Sequence, residues 1–257
     1  MYGTRSAEPH AERPPLVRVE GSGTPGGIAT IIFDRAEVYN AFSSELCQAV
    51  VDALDVLAST ASVIVLRGAG GNFSVGGDIA EVRRLREGGS AGLATIFDAF
   101  AAMIRRVQAV EVPVVAAVEG YALAGGFELL QVCDVVLLSE TAVLGDHHIR
   151  AGQLPAGGGS QRLPRLVGRQ RALSHLITGD RIDPATAVAW GLAYRTAPAD
   201  DFQRLVDEVS GRIADKDPGA VRMMKSLVDR GLRGELDEGL QMERAVVLDP
   251  SSWQAFE

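Results

Sequence analysis

The sequence is poor in the groups that would tie it to a membrane, a nucleic acid or an oxidising compartment. It has two cysteines, Cys47 and Cys133, in 257 residues. They lack metal-ligand spacing, and no charged-then-apolar leader precedes them, so they read as buried thiols in a reducing cytoplasm. Long apolar runs are missing too. The most apolar stretch, Val112 to Ser139, is broken by Glu119, Glu128 and Asp134, which excludes a membrane-spanning helix. Lys216 and Lys225 are the only lysines among 25 basic residues, and the formal charge of −8 argues against a general nucleic-acid surface. An anionic ligand must therefore be met locally. The nucleotide fingerprints G-x-x-x-x-G-K-[ST] and G-x-G-x-x-G after the first strand are absent, as are G-x-S-x-G and a Ser-His-Asp order.

What is present is the make-up of a globular chain: 47% hydrophobic and 23% charged residues, with 29 glycines and 11 prolines. At this length burial of apolar surface suffices for stability without disulfides or structural metal. Residues 1–15 read as a mobile leader. Leu16 to Glu20 and Ile28 to Phe33 read as a strand pair across a Gly-rich turn, followed by an amphipathic helix from Ser43 to Leu57 with Ser43 or Ser44 as N-cap. The alternation continues with a strand at Ser62 to Leu66, helices at Ile79 to Glu87 and Ala91 to Val107, and a strand at Pro113 to Val118. A helix from about Gly125 to Val132 and short strands at Asp134 to Leu138 and Ala142 to Leu144 complete it. From Gln161 onward the periodicity is helical, with separate segments at Pro184 to Gly191, Asp201 to Ile213, Pro218 to Leu232 and Glu235 to Val247. The expected organisation is an α/β body over residues 16–195 and a helical region over 196–257.

Two Gly-rich segments stand at strand-to-helix junctions: Asn72-Phe73-Ser74-Val75-Gly76-Gly77-Asp78-Ile79, and Gly120-Tyr121-Ala122-Leu123-Ala124-Gly125-Gly126-Phe127-Glu128. Amides at a helix start point outward with the positive end of the dipole, and glycine lets a ligand approach the backbone, so two such loops converging would bind an oxyanion. Glu128 lies three residues after Gly125, about one helical turn on, which places an acid beside an oxyanion donor. Flanked by Phe127, Leu129 and Leu130, its carboxyl is poorly solvated, and its pKa should rise toward the range of acid-base catalysis.

At these residues the chain resembles the crotonase superfamily, the enoyl-CoA hydratase/isomerase family, over about Ile28 to Leu192. Asp34-Arg35 through Asn40-Ala41 is similar to its R-P-x-x-x-N-A segment, with Ala36 where proline is usual. Phe73 to Ile79 is similar to F-x-x-G-x-D-[IL]. Pro113 to Glu128 is similar to P-x-[IV]-A-A-[VI]-x-G-x-[AC]-x-G-G-G-x-E, with Ala124 in place of the first glycine of the run. Pro155 to Leu163 and Leu176 to Asp180 match P-x-x-G-[GS]-[ST]-Q-R-L and L-T-G-[DE].

The resemblance implies a spiral of β-β-α units, a C-terminal helical part used in trimerisation, and a thioester site between the Gly-rich loops. Coenzyme A is then expected as part of the substrate, with no tightly bound cofactor and no metal, and the assembly as a homotrimer or dimer of trimers. Carried over by position, the amides of Val75 and Gly125 would form the oxyanion hole. Arg35, Phe73, Ser74, Gly76, Gly77, Asp78 and Ile79 would line the coenzyme A site, and an acyl pocket would draw on apolar residues such as those in Leu85 to Ile104.

The chain departs from the family at the second catalytic glutamate, which lies in F-G-x-P-E-x-x-x-G-x-x-P. Here that segment runs Leu144-Gly145-Asp146-His147-His148-Ile149-Arg150-Ala151-Gly152-Gln153-Leu154-Pro155, and His148 takes the glutamate's place. His148 can replace it as a proton-transfer group, mark a different enolate reaction such as a double-bond shift or decarboxylation, or be inert. A metal site at Asp146, His147 and His148 is disfavoured, since neighbours in extended chain face opposite sides. The basic tail of the family is also missing, the chain running Trp253-Gln254-Ala255-Phe256-Glu257 at its end. The resulting expectation is hydration of a 2-enoyl-CoA thioester by Glu128 and His148. Isomerase, decarboxylase and a non-catalytic acyl-CoA-binding subunit are the alternatives.

Overall fold

The computed structural model describes residues 14–21 and 26–249. The Gly-rich turn ahead of Ile28, most of the expected leader and the Trp253 to Glu257 end fall wholly or partly outside these residues. The first elements are β1 (Val17–Glu20), β2 (Ile28–Phe33), α1 (Ser44–Leu57), β3 (Val63–Gly68), α2 (Ile79–Arg86), α3 (Gly89–Ala109) and β4 (Val114–Val118). There follow β5 (Tyr121–Leu123), α4 (Gly125–Leu130), β6 (Val135–Ser139), β7 (Val143–Gly145), α5 (Gly159–Val167), α6 (Arg169–Thr178) and α7 (Pro184–Ala189). The chain continues through β8 (Arg195–Ala197), α8 (Ala199–Ala214), α9 (Pro218–Gly231) and α10 (Leu236–Leu248).

Six strands form one sheet in the order β1-β2-β3-β4-β6-β8. The β1–β2 pair is antiparallel, as its hairpin-like spacing predicts, and every other pairing is parallel. A parallel sheet buries both faces, which explains strands such as β4 that are apolar throughout instead of alternating. In β3, Ile64 and Leu66 point into a core with Leu46, Val50 and Leu54 of α1 and Met103, Ile104 and Val107 of α3. Val63 and Val65 point the other way, onto Phe202, Leu205, Val206 and Val209 of α8. The helical region therefore enters the body directly: β8 is a strand of the main sheet, and α8 covers one of its faces.

Local chemistry sets the element boundaries. The Ser43 hydroxyl accepts from the Leu46 N–H and caps α1, and the Asp78 carboxylate accepts from the Glu81 N–H and caps α2. Two departures from the sequence reading bear on the site. Tyr121–Leu123, within the second Gly-rich loop, is a strand, and it pairs in parallel with β7 in a separate two-stranded sheet. The Ala142 to Leu144 strand consequently leaves the main sheet after β6 instead of lying beside it. Ser74 extends this small sheet, its N–H donating to Tyr121 O and its carbonyl accepting from the Leu123 N–H, both at 2.9 Å. A strand of three residues, such as Tyr121–Leu123, carries too little periodicity to be read from sequence. Among the described residues, no helix is long and apolar enough to cross a membrane. Cys47 is buried and unpaired, and burial pushes its thiol up to about 12.

Candidate active site

The Ser74 ladder presses the two Gly-rich loops together. A Cβ built on Gly76, at φ +93°, would stand 2.7 Å from the Gly125 nitrogen, so only glycine admits this approach. Gly125 is the first residue of α4, where an N–H has no intrahelical acceptor. The Val75 N–H, expected as the second oxyanion donor, donates to Tyr39 O at 3.2 Å. Ala124, standing where the family pattern has glycine, sits at φ +48° and ψ −118°, a strained conformation for a residue with a Cβ.

Asn40 braces the first loop from behind. Fully buried, it donates from Nδ2 to Ala69 O and Asn72 O at 2.9 and 2.7 Å, while its Oδ1 accepts from the Arg35 N–H at 3.0 Å. The Ser74 hydroxyl, also buried, donates to Asn40 O at 2.8 Å and accepts from the Gly76 N–H. Arg35 donates to Asp78 Oδ2 at 2.9 Å and to Ala41 O at 2.6 Å, tying the loop to the start of α2. Its guanidinium beside Asp78, together with the Glu81 N–H, holds the Asp78 carboxyl below the usual range despite burial, the largest opposing influence. Phe73 is wholly buried in an edge-to-face contact with Phe33 at 5.5 Å. Of the residues expected to line a coenzyme A site, Phe73, Ser74, Arg35 and Asp78 are thus engaged in building the loop. Gly77 and Ile79 lie on its outer side, and Ile79 is 65% exposed.

All six residues of α4 are buried, and with them Glu128, whose side chain is 2% exposed. Glu128 Oε1 accepts from the N–H groups of Gly157 and Gly159, at 2.7 and 2.9 Å. This fixes the carboxylate and leaves Oε2 free. Burial pushes the Glu128 carboxyl up, against the two amides and His148, and Asp146 adds to the rise. The sequence reading of Glu128 as a poorly solvated acid therefore agrees with its surroundings. The amides that hold it are absent from that reading, although the Gly157-Gly158-Gly159 run is a signal that could have found them. Phe100 of α3 joins the two halves of the site: its ring lies 3.1 Å from where a Gly125 Cβ would be and blocks a Cβ at Gly157. Phe100 lies in the Leu85 to Ile104 stretch from which an acyl pocket was expected to draw.

His148 Nε2 faces Glu128 Oε2 at 3.9 Å. Its Nδ1 lies 2.9 Å from Asp146 Oδ1. Burial works against a charged imidazole here, but the Asp146 hydrogen bond and the carboxylates of Asp146 and Glu128 outweigh it, so His148 titrates above its ordinary value. Asp146, His147 and His148 do not form an extended run. His147 turns to φ +56° and a 3-10 turn starts at His148, so the His147 ring leaves the group while Asp146 and His148 meet.

The same residues can be set beside known proteins. A probable enoyl-CoA hydratase of Mycobacterium bovis is 35% identical over 223 residues, covering 84% of this chain and 83% of the relative. A crotonyl-CoA hydratase of Syntrophomonas wolfei is 32% identical over 220 residues, with 84% and 83% covered. The crystal structure of an enoyl-CoA hydratase from Bacillus anthracis superimposes with a TM-score of 0.84 at 31% identity, covering 90% of this chain and 89% of that one. Residues 23–256 match the profile of the family described as enoyl-CoA hydratase/isomerase. With two converging Gly-rich loops, a buried acid on the helix they start, and this match over most of its length, the chain belongs to the enoyl-CoA hydratase/isomerase family of the crotonase superfamily.

Proposed function

We propose that the protein adds water across the double bond of a 2-enoyl-CoA thioester, with Glu128 and His148 as its two proton-transfer groups. The observation that carries this reading is the 3.9 Å gap between Glu128 Oε2 and His148 Nε2. That distance is too long for a direct hydrogen bond and suits one water held by both groups. The names of the relatives from M. bovis, S. wolfei and B. anthracis support hydration over other enolate chemistry.

In this scheme the thioester oxygen lies against the Gly125 N–H and takes the Val75 N–H from Tyr39 O. An oxyanion donor of this type is worth about 3 kcal/mol in the transition state. As the water oxygen bonds to Cβ, one of its protons passes to Glu128 Oε2 and the π electrons move onto the thioester oxygen. The enolate then collapses and takes the Nε2 proton of imidazolium His148 at Cα. The proton now on Glu128 returns to His148 across the gap through the next water, which closes the cycle. Coenzyme A enters and leaves as part of substrate and product, and the scheme draws on no other cofactor.

The test is mass-resolved product analysis with short and medium 2-enoyl-CoA thioesters, using the wild type, Glu128→Gln and His148→Ala. A gain of one water by the wild type, lost in both variants, is expected. An isomerised product, or tight binding without turnover, would overturn the hydratase assignment.

A further inference from the structure

Asp146 is a buried carboxylate that transfers no proton in the water-addition scheme. It follows β7, is 1% exposed, and has its own N–H fixed by donation to His175 Nε2 of α6 at 3.0 Å. Its Oδ1 lies 2.9 Å from His148 Nδ1 and 3.4 Å from the His148 N–H. Its Oδ2 is buried without a hydrogen-bond partner, beside the backbone of Gly159. A carboxylate with one oxygen unsatisfied is costly to bury, and the group it faces that offsets this cost is the His148 imidazole.

We propose that Asp146 is a positioning residue that holds the proton of neutral His148 on Nδ1 and aims Nε2 into the gap before Glu128. This deepens the hydratase reading and rests on it, since it supplies what a histidine needs in order to replace a glutamate. A carboxylate carries equivalent oxygens, whereas an imidazole has two distinct nitrogens, and only the correct tautomer and ring orientation place the working nitrogen at the water. The chain His175 Nε2, Asp146 N–H, Asp146 Oδ1, His148 Nδ1 fixes both from α6. The accepting role of His175 Nε2 requires its own proton on Nδ1, in keeping with a neutral ring whose protonation burial opposes.

The charged and titratable groups around this assembly are Glu128 on α4, Asp146 after β7, His147 with Arg150 and Arg181 near it, His175 on α6 with Asp180 near it, and Arg162 on α5 near Glu128. Loss of the Asp146 charge removes the influence that raises His148, so the alkaline limb of the kcat/KM profile moves to lower pH.

The variants Asp146→Ala and Asp146→Asn are compared with His148→Ala on crotonyl-CoA, alongside nitrogen-15 NMR of labelled histidine in the wild type. Asp146→Ala should lose about 100-fold in kcat with KM little changed, in the range of acid-base contributions. Asp146→Asn keeps an acceptor oxygen and should recover part of the rate, with its alkaline limb displaced to lower pH. In the wild type, neutral His148 should carry its proton on Nδ1. A neutral Nε2–H tautomer in the wild type overturns the proposal even if both Asp146 variants fail to fold. An unshifted pH limb in Asp146→Asn also overturns it. Retention of water addition by His148→Ala instead overturns the hydratase scheme itself, so the two failures are distinguishable.

Discussion

Gly157→Ala tests whether the position of Glu128 is what the site depends on. A Cβ at residue 157 runs into Phe100 Cε1 and comes within 2.9 Å of Glu128 Cδ and Oε2. Carbon atoms at ease lie about 3.5 to 4.0 Å apart, so the methyl is nearly 1 Å too close to two groups that are themselves confined. Phe100 packs against Phe42 with ring centroids 5.5 Å apart, and Glu128 is tethered to the Gly157 and Gly159 amides. Neither side yields easily, so overpacking should cost about 2 kcal/mol, or about 6 °C in Tm for a chain of this size. If the strain displaces the carboxylate by about 1 Å, kcat falls about 100-fold. Hydration of crotonyl-CoA, followed by loss of enoyl thioester absorbance, and a thermal melt measure both. Gly211→Ala is the control: a Cβ there meets nothing within 4 Å, and in the interior of α8 it should stabilise by about 1 kcal/mol. Wild-type rate and Tm in Gly157→Ala would show that the 157–159 segment yields freely and that its amides do not define the acid.

Ala124→Gly should relieve the φ +48° strain, about 1 to 3 kcal/mol, against roughly 0.5 to 1 kcal/mol of added chain entropy, for a net gain of about 1 kcal/mol in denaturant melts. A loss of stability would show the conformation to be unstrained. Glu128→Gln should be more stable than the wild type at pH 8. The folded-state carboxyl titrates above its unfolded value, so its ionised form opposes folding at high pH, and the advantage should fade as pH falls toward about 4.3, where the unfolded carboxyl protonates. Urea titrations at pH 8 and pH 4.5 check this, and an advantage that grows toward acid contradicts the sign. Asn40→Ala orphans the Arg35 N–H and the carbonyls of Ala69 and Asn72, and should cost about 3 kcal/mol by equilibrium unfolding.

The larger elements were legible because their periodicities are strong. α1 carries Leu46, Val50, Leu54 and Leu57 at helical spacing behind a serine cap, and β4 is an unbroken apolar run. The burial of Glu128 was legible as well, since a glutamate among Phe127, Leu129 and Leu130 has few ways to be solvated. The contacts that define the site come from distant parts of the chain, and spacing does not record them. Glu128 is held by amides 29 and 31 residues away, and Asp146 by His175, 29 residues on. β5 was hidden because a three-residue strand is specified by its partner and not by its own pattern. The engagement of the Val75 amide with Tyr39 O follows from a left-handed turn at Tyr39 that composition does not announce.

The last two helices sit less deeply than those that cover the main sheet. No residue of α9 or α10 is buried, and a cavity of about 410 Å³ lies where Val221, Met224 and Lys225 of α9 face Val209, Arg212 and Ile213 of α8. Lys225 reaches across to Asp134 Oδ2 at 2.6 Å and Val112 O at 3.2 Å. The body is cohesive because its helices share apolar seams with the sheet. Lys225 adds a charged contact to the apolar one that Val221 and Met224 make with α8, and since its pair with Asp134 is largely enclosed, salt screens it less than an exposed pair. Among the described residues, none of the hydrogen bonds that hold Glu128, Asp146 and His148 comes from these helices, which separates the packing of the α9–α10 hairpin from the chemistry at the centre of the chain.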